Sequence, residues 1–465
     1  MTEKQKKLGK SKIAVKLHYL PAEERIKNFE EVNLGYLELE EVIEECSRCH
    51  QCFKNSDPEI KPPPCMKYCP THCNSRDIIR HVIDNEIEEA LKIIYKHYPF
   101  PRSVERVCPG YCQLHCTAGI KGDPIQIPMI KRFLVDNYGP LNEYFKCKPD
   151  LGKKVAVLGS GPLGLTVAFY LRKLGINVTI FEKNGIIGGM LITEIPEFRL
   201  PRSVLNTEIE NLQHCGIEII TNKTIDSDFS IDQIFELGYH LIVIGIGAQK
   251  AKLLKLPGRD PNIIMQALQF LKKHNLHEDI PDINNKKVIV IGGGSTATDA
   301  ARVAKRLGAN VSILYRREKE HMPAGKAEIK DTEDEGIHIK FLINPKEFYC
   351  TEDETKGIMC QRIELGDLDA SGRPIPIPIE DVDIKVEADY IIEAIGQEID
   401  ISGFDRHRFK MSESNTFIVN EKFYTSVPKV LAGGDCVLGS KSVVDAVAHG
   451  KLIADQIYDF LKENN

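Results

Sequence analysis

Apolar positions along this chain gather in short runs separated by glycines, and one such arrangement occurs twice. The segment KKVAVLGSGPLGLTVAFYLRKLGINVTIFEK, Lys153 to Lys183, aligns without a gap on KKVIVIGGGSTATDAARVAKRLGANVSILYRR, which begins 133 residues later at Lys286. Each copy opens on a β-branched-rich run, Val155–Leu158 or Val288–Ile291, without polar alternation, as in a strand buried on both faces. Glycines follow, then a helical periodicity ending on Leu-Gly at 174–175 or 307–308, then a second apolar run. Strand, tight turn, helix and strand form the opening unit of a doubly wound parallel sheet. LIVIGIGA (Leu241–Ala248) and YIIEAIGQ (Tyr390–Gln397) each add a strand and turn that close one copy. Near the C-terminus, VLAGGDCVLG places Asp435 after a buried strand and a glycine pair, and VVDAVAHGKLIADQI reads as helix. Upstream, RDIIRHVIDNEIEEALKIIYKH (Arg76 to His97) also has helical periodicity, its charges forming a solvated face. The expected architecture is α/β, with two Rossmann-like dinucleotide-binding domains preceded by a mainly helical one. The expected bounds are 1–149 for the helical domain, 150–250 and 398–465 for a discontinuous first nucleotide domain, and 251–397 for the second. Pro149–Lys153 is the exit linker of the helical domain.

The glycines sit where nucleotide binding needs them. Gly159 permits the turn, Gly161 lets the backbone approach a pyrophosphate, and Gly164 allows helix and strand to pack closely. Gly292, Gly294 and Ala297 take those places in the second copy. Each following helix offers free N–H groups and its positive dipole end to phosphates. A structural glycine turn without ligand is the plainer alternative. The copies differ at the end of the second strand. Glu182 suits the 2′- and 3′-hydroxyls of an unphosphorylated ribose, whereas Tyr315-Arg316-Arg317 stands there in the second copy. A carboxylate repels a 2′-phosphate and guanidinium groups bind it, so the first copy suits FAD or NAD and the second NADP. Gly188-Gly189-Met190-Leu191 and the Gly434-Asp435 pair favour FAD in the first. A solvated arginine pair is the bland reading of Arg316 and Arg317.

Composition narrows the picture further. A formal charge of −6 and a pI near 6.2 give no reason to expect nucleic acid. No apolar run approaches the roughly 20 residues of a bilayer span. Met1 to Lys12 has five lysines and no apolar stretch behind them, and reads as a solvated tail rather than a secretory signal. With no export signal, a cytoplasmic location is expected. There, fourteen cysteines, nine of them between Cys46 and Cys116, point to metal rather than disulfides. Cys49-x2-Cys52 brings two thiolates to one centre, and Cys69-Pro70 and Cys108-Pro109 are like the Cys-Pro pairs of ferredoxin-type sites. Zinc is the competing occupant, but a neighbouring flavin and NADPH favour iron–sulfur clusters. Cys436, beside Asp435, reads as a buried small residue.

Taken in order, PAEERIKNFEEV, CSRCHQC, PPCMKYCP, RVCPGYCQLHC, IPEFRLP, GGGSTATDAAR, LYRREKEHMPA and AGGDC resemble the small-subunit family of NADPH glutamate synthase. Its relatives include the flavin and iron–sulfur part of dihydropyrimidine dehydrogenase and the large subunit of NADH-dependent ferredoxin:NADP oxidoreductase. The resemblance implies one [4Fe–4S] cluster on Cys49, Cys52, Cys65 and Cys116, and a second on Cys69, Cys108 and Cys112. A Glu or Gln often completes the second cluster in the family, but IQIPMIKRF puts Lys131 there, and an ammonium cannot ligate iron. Cys73 or Cys46 replaces it, or the register shifts, or the cluster is altered. The Cys52–Cys65 loop is also longer than usual for the family. For FAD the resemblance implies Gly159, Ser160, Gly161, Gly164, Glu182, Gly189, Met190, Arg199, Gly434 and Asp435. For NADPH it implies Gly294, Ser295, Thr296, Ala297, Arg316, Arg317 and Gly396, with Ser295 in place of the usual Asn. The implied chemistry is hydride transfer from NADPH to FAD, then single electrons through the clusters, with no obligatory catalytic side chain. The expected partner is a larger redox subunit, because this length has no room for a glutaminase and an FMN barrel. The alternatives are a free-standing oxidoreductase acting on ferredoxin, sulfur compounds or small oxidants, and a non-catalytic zinc-holding interaction module.

Overall fold

In this computed structural model, residues 11–350, 356–369 and 372–463 are described. Of the lysine-rich stretch expected to be a solvated tail, residues 1–10 lie outside them. Two five-stranded parallel sheets dominate, and they match strand for strand. The first runs Val430–Ala432, Leu241–Ile244, Lys154–Leu158, Asn177–Phe181, Glu218–Ile220. The second runs Ile264–Gln266, Tyr390–Glu393, Lys287–Ile291, Asn310–Tyr315, His338–Phe341. The sequence repeat is also a register repeat, since Lys154 pairs with Asn177 and Lys287 with Asn310. The central strands are buried from their second residue onward, which is why they carry unbroken apolar runs. One edge strand of the first sheet comes from the C-terminal part, so the second sheet is inserted into the chain of the first. The expected α/β class is the one observed.

Helices Pro162–Lys173 and Ser295–Arg306 follow the two glycine turns and stop at the expected Leu-Gly pairs, with Gly175 at φ +87° and Gly308 at +86°. The N-terminal part is helical, with a two-stranded ribbon of His18–Tyr19 and Asn33–Gly35. Residues 76–97 form two helices, Ser75–Ile83 and Ile87–His97, because Asn85 adopts φ +61° and interrupts the run. Nor are its charges all solvated, since buried Arg76 donates to the Phe53 carbonyl at 2.9 Å. An antiparallel sheet of Ile343–Cys350, Lys356–Leu368 and Pro374–Glu387 was not expected from sequence. It packs Ile343, Phe348, Ile358 and Val386 against Ile289, Leu314 and Ile391 of the second parallel sheet.

Two devices join the nucleotide domains. The chain crosses at Lys250–Ala251 and returns at Gln397–Glu398, and these segments pair antiparallel. The loop IPEFRLP of the first domain also docks on helix Ser295–Arg306 of the second. Phe198 lies under the Arg302 and Arg306 guanidiniums, 4.6 and 4.1 Å from the ring centroid. Arg199 donates from Nη1 to Asp299 at 2.6 Å and pairs through Nη2 with Glu328 at 2.5 Å. Buried Glu335 holds Arg302 and Arg306 together at 2.7 and 2.6 Å.

A Cβ on Gly164 would stand 1.9 Å from the Gly159 carbonyl oxygen. Gly164→Ala is therefore expected to destabilise the chain by roughly 1–3 kcal/mol, the usual cost of overpacking. Calorimetry checks this, and an unchanged midpoint would contradict the close packing of turn and helix.

Candidate functional site

Both glycine turns open onto one cavity of about 1900 Å³. Its wall carries Cys108 and Cys116 of the helical domain, Gly161, Gly189 and Asp435 of the first nucleotide domain, and Gly294 and Arg316 of the second. Drug-sized ligands occupy roughly 300–1,000 Å³, so the space suits two extended dinucleotides. Each turn lies where strand order reverses in its sheet, which is where ligands bind in open α/β folds.

In the first domain, Gly159 has φ +102°, and a Cβ there would lie 2.6 Å from the Gly245 carbonyl oxygen. At Gly161 nothing lies within 4 Å of the same position, so the backbone faces open cavity. Buried Glu182 organises this end. Its Oε2 accepts from Ser160 N and Oγ at 2.9 and 2.8 Å, and Oε1 from Asn184 N and Nδ2 at 2.8 and 2.9 Å. Ser160 Oγ in turn accepts from Gly188 N at 3.1 Å, fastening the Gly188-Gly189 turn beside Met190. Gly434, at φ +65°, leads into Asp435, whose carboxyl burial pushes up to about 7 and which accepts from Lys441 N at 3.2 Å. Cys436 is buried, and its thiol faces the Gly433 and Ile244 carbonyls. Arg199 is on the cavity wall, but its guanidinium is committed to Asp299 and Glu328.

The second domain repeats the turn. Gly294 is again open, Ala297 is buried beneath it, and Ser295 Oγ donates to Glu328 at 2.8 Å. Gln397, next to Gly396, donates to Thr296 Oγ1 at 3.4 Å and accepts from Ser440 Oγ at 3.1 Å, a link between the domains. The arginines part company. Arg317 is buried and donates to the Pro374 carbonyl at 2.7 Å and to Asp369 at 3.1 Å. Arg316 is exposed on the cavity wall and, among the described residues, has no ion-pair partner. Partial desolvation by the cavity wall, then the like charges of Arg317 and Arg373, hold Arg316 below its ordinary pKa. Such a cationic corner is relieved by an anion. Arg373 reaches it through the antiparallel sheet, a contact no local spacing in the sequence announces.

Eight of the nine cysteines from Cys46 to Cys116 fall into two neighbourhoods. Burial and its neighbours Cys49, Cys116 and Cys52 push the Cys65 thiol up to about 12. Cys69 is the common neighbour of Cys73, Cys108 and Cys112, and all three of those thiols face Lys131 and Glu105. Among the described residues no three His, Cys, Asp or Glu side chains are placed to hold a single metal ion. Four thiols apiece are the donor chemistry of an iron–sulfur cluster. No helix among the described residues is long and apolar enough to cross a membrane.

The sequence pattern of the pyridine nucleotide-disulphide oxidoreductase family matches residues 153–450. That of dihydropyrimidine dehydrogenase domain II, 4Fe-4S cluster, matches residues 25–140. The NADP(+)-dependent formate dehydrogenase subunit beta of Moorella thermoacetica is 35% identical over 427 residues, covering 86% of this chain and 60% of that protein. The glutamate synthase [NADPH] small chain of Azospirillum brasilense is 30% identical over 461 residues, covering 95% and 93%. This chain thus spans three-fifths of the first relative and nearly all of the second. Among solved structures, Mycobacterium tuberculosis FprA in complex with NADPH shares the fold, with a TM-score of 0.56 and 18% identity over 68% of this chain and 86% of that one. The two family matches, on this fold, define a two-dinucleotide oxidoreductase that uses FAD, NADPH and a [4Fe–4S] cluster. The chain belongs to the pyridine nucleotide-disulphide oxidoreductase family, in its glutamate synthase small-chain group, as the motifs implied.

Glu194 on the cavity wall was not foreseen. Its Oε2 has no hydrogen-bond partner among the described residues, and burial, only partly offset by Lys272, pushes it from 4.5 to about 8. Folding favours its neutral form, so its stabilising contribution is complete below about 4.5 and is lost as pH rises through about 8. Glu194→Gln is expected to remove that loss. Thermal melts from about pH 5 to pH 9 should show the variant gaining on wild type as pH rises. Parallel curves would contradict the buried carboxyl.

Proposed function

We propose that this chain takes electrons from NADPH into FAD and delivers them through two iron–sulfur centres to a larger redox subunit. The continuity of one cavity from Arg316 past Gly161 to Cys108 and Cys116 carries this reading. FAD, when bound, accepts a hydride from the nicotinamide and releases electrons one at a time. The chain's own residues bind and orient. The turn at Gly159 to Gly164 and the adjoining helix N-terminus receive the FAD pyrophosphate, and Gly189, Met190, Gly434 and Asp435 line its path. Glu182 holds the Ser160 and Asn184 donors in place beside the adenosine end. The open backbone at Gly294, with Ser295 and Thr296 at the helix start and Ala297 packed below, receives the NADPH pyrophosphate, while Gly396 leaves room opposite. Arg316, with Arg373 beside it, holds the 2′-phosphate, and Arg317 braces that corner from behind. Arg199 acts at the domain junction, where its carboxylate partners fix the angle between the nucleotide sites. Cys49, Cys52, Cys65 and Cys116 hold one cluster, and Cys69, Cys108 and Cys112 the core of the other. Relatives named as subunits support a protein partner.

Anaerobic titration of the full chain tests the reading. NADPH should bleach the flavin and then the cluster bands, and NADH should do so poorly. Loss of a charge-assisted contact in Arg316→Ala should raise the KM for NADPH roughly ten- to a hundredfold while leaving that for NADH nearly unchanged. Equal use of NADH, or flavin reduction that never reaches the clusters, would overturn the proposal.

A further inference from the structure

The second cysteine group is assembled around Tyr98. The buried phenol oxygen accepts from Thr71 Oγ1 at 2.9 Å and from Lys131 Nζ at 3.4 Å, and lies 3.5 Å from Cys69 Sγ. It also reaches the Cys73 thiol. A phenol has two acceptor sites and one proton, so with both acceptor sites filled its proton is left for sulfur. Cys73 lies just before helix Ser75–Ile83, wholly buried, with its carbonyl accepting from Ser75 N at 2.8 Å. The Lys131 Nζ pairs with Glu105 Oε1 at 2.6 Å, and both residues are 1% exposed. Besides Glu105, the thiols facing that ammonium are Cys73, Cys112 and Cys69. An ammonium has no lone pair to give iron, but it offsets the charge of thiolates buried beside it. Cys46, the other unassigned cysteine, sits at the end of helix Leu39–Ser47, with Cys49 and Glu45 as its charged neighbours. It therefore belongs beside the first group.

We propose that Cys73 is the fourth ligand of the second cluster, joining Cys69, Cys108 and Cys112, and that Lys131, anchored by Glu105, is a buried counter-cation rather than a ligand. This rests on the iron–sulfur reading of the N-terminal domain. It makes the second centre all-cysteine at the position where the family resemblance implies a Glu or Gln.

Iron and sulfide counts and EPR spectra of the full chain, purified anaerobically with FAD bound, test it. Wild type should hold about eight iron atoms, the content of two [4Fe–4S] clusters. Cys73→Ala should fall to about four, or show the oxidised-state signal of a [3Fe–4S] cluster, while keeping its flavin. Cys73→Ser, which retains an oxygen ligand, should keep the iron and shift the EPR signal of one reduced cluster only. Cys46→Ala should match wild type in both iron and spectrum. A Cys73→Ala protein with full iron and an unchanged reduced spectrum would overturn the assignment, as would loss of a cluster in Cys46→Ala. Retained iron in Cys73→Ala together with loss in Glu105→Gln would assign the ligand to Glu105 instead. A wild-type chain free of iron would instead sink the functional reading on which the assignment rests.

Discussion

The site depends on backbone meeting backbone without side chains between. At the reversal point of each sheet, the turn after the first strand presses on the end of its neighbour, Gly159 on Gly245 and Gly292 on Ala394. A Cβ at Gly292 would stand 2.2 Å from the Ala394 carbonyl oxygen, so the turn has no other way to sit there. The next helix is thereby drawn back onto the strand, and its N-terminus is aimed into the crevice. The phosphate-binding geometry is a by-product of that packing, produced twice by the same pattern.

Two sites become one cavity only because the domains hold a fixed angle. The paired crossing segments join the domains at one point, and the Phe198–Arg199 loop joins them at a second. A phenyl ring under two guanidiniums and an arginine between two carboxylates is an expensive set of charges to leave unmatched. Arg199 stands on the cavity wall, yet its hydrogen bonds cross to the other domain. At the opposite end, Tyr111 donates to Asp445 on the C-terminal helix at 3.2 Å and ties the cysteine region to the flavin side.

Much of this was legible in the sequence because it depends on local spacing. The repeat, the two glycine turns, the Glu182 and Arg316 contrast and both Cys-Pro pairs are features of consecutive residues, and the fold they imply is the one observed. What sequence could not show depends on distant residues meeting. Arg317 looked equivalent to Arg316, but a hairpin carrying Pro374 and Asp369 folds over it and turns it inward. The antiparallel sheet is not legible in the sequence because Pro374, Pro376 and Pro378 interrupt the strand pattern, and prolines usually mark a non-strand. Lys131 has no partner within local spacing, because Glu105, which pairs with it, lies 26 positions earlier.

In the proposed function, electrons pass from nicotinamide to flavin to cysteine domain within one cavity. Single-turnover mixing with NADPH deuterated at the transferred position, followed by absorbance and freeze-quenched EPR, addresses it most directly. Deuterium should slow flavin bleaching, and cluster signals should rise only after it, delayed to the same degree. Cluster reduction that precedes flavin bleaching, or that ignores the deuterium, would contradict it.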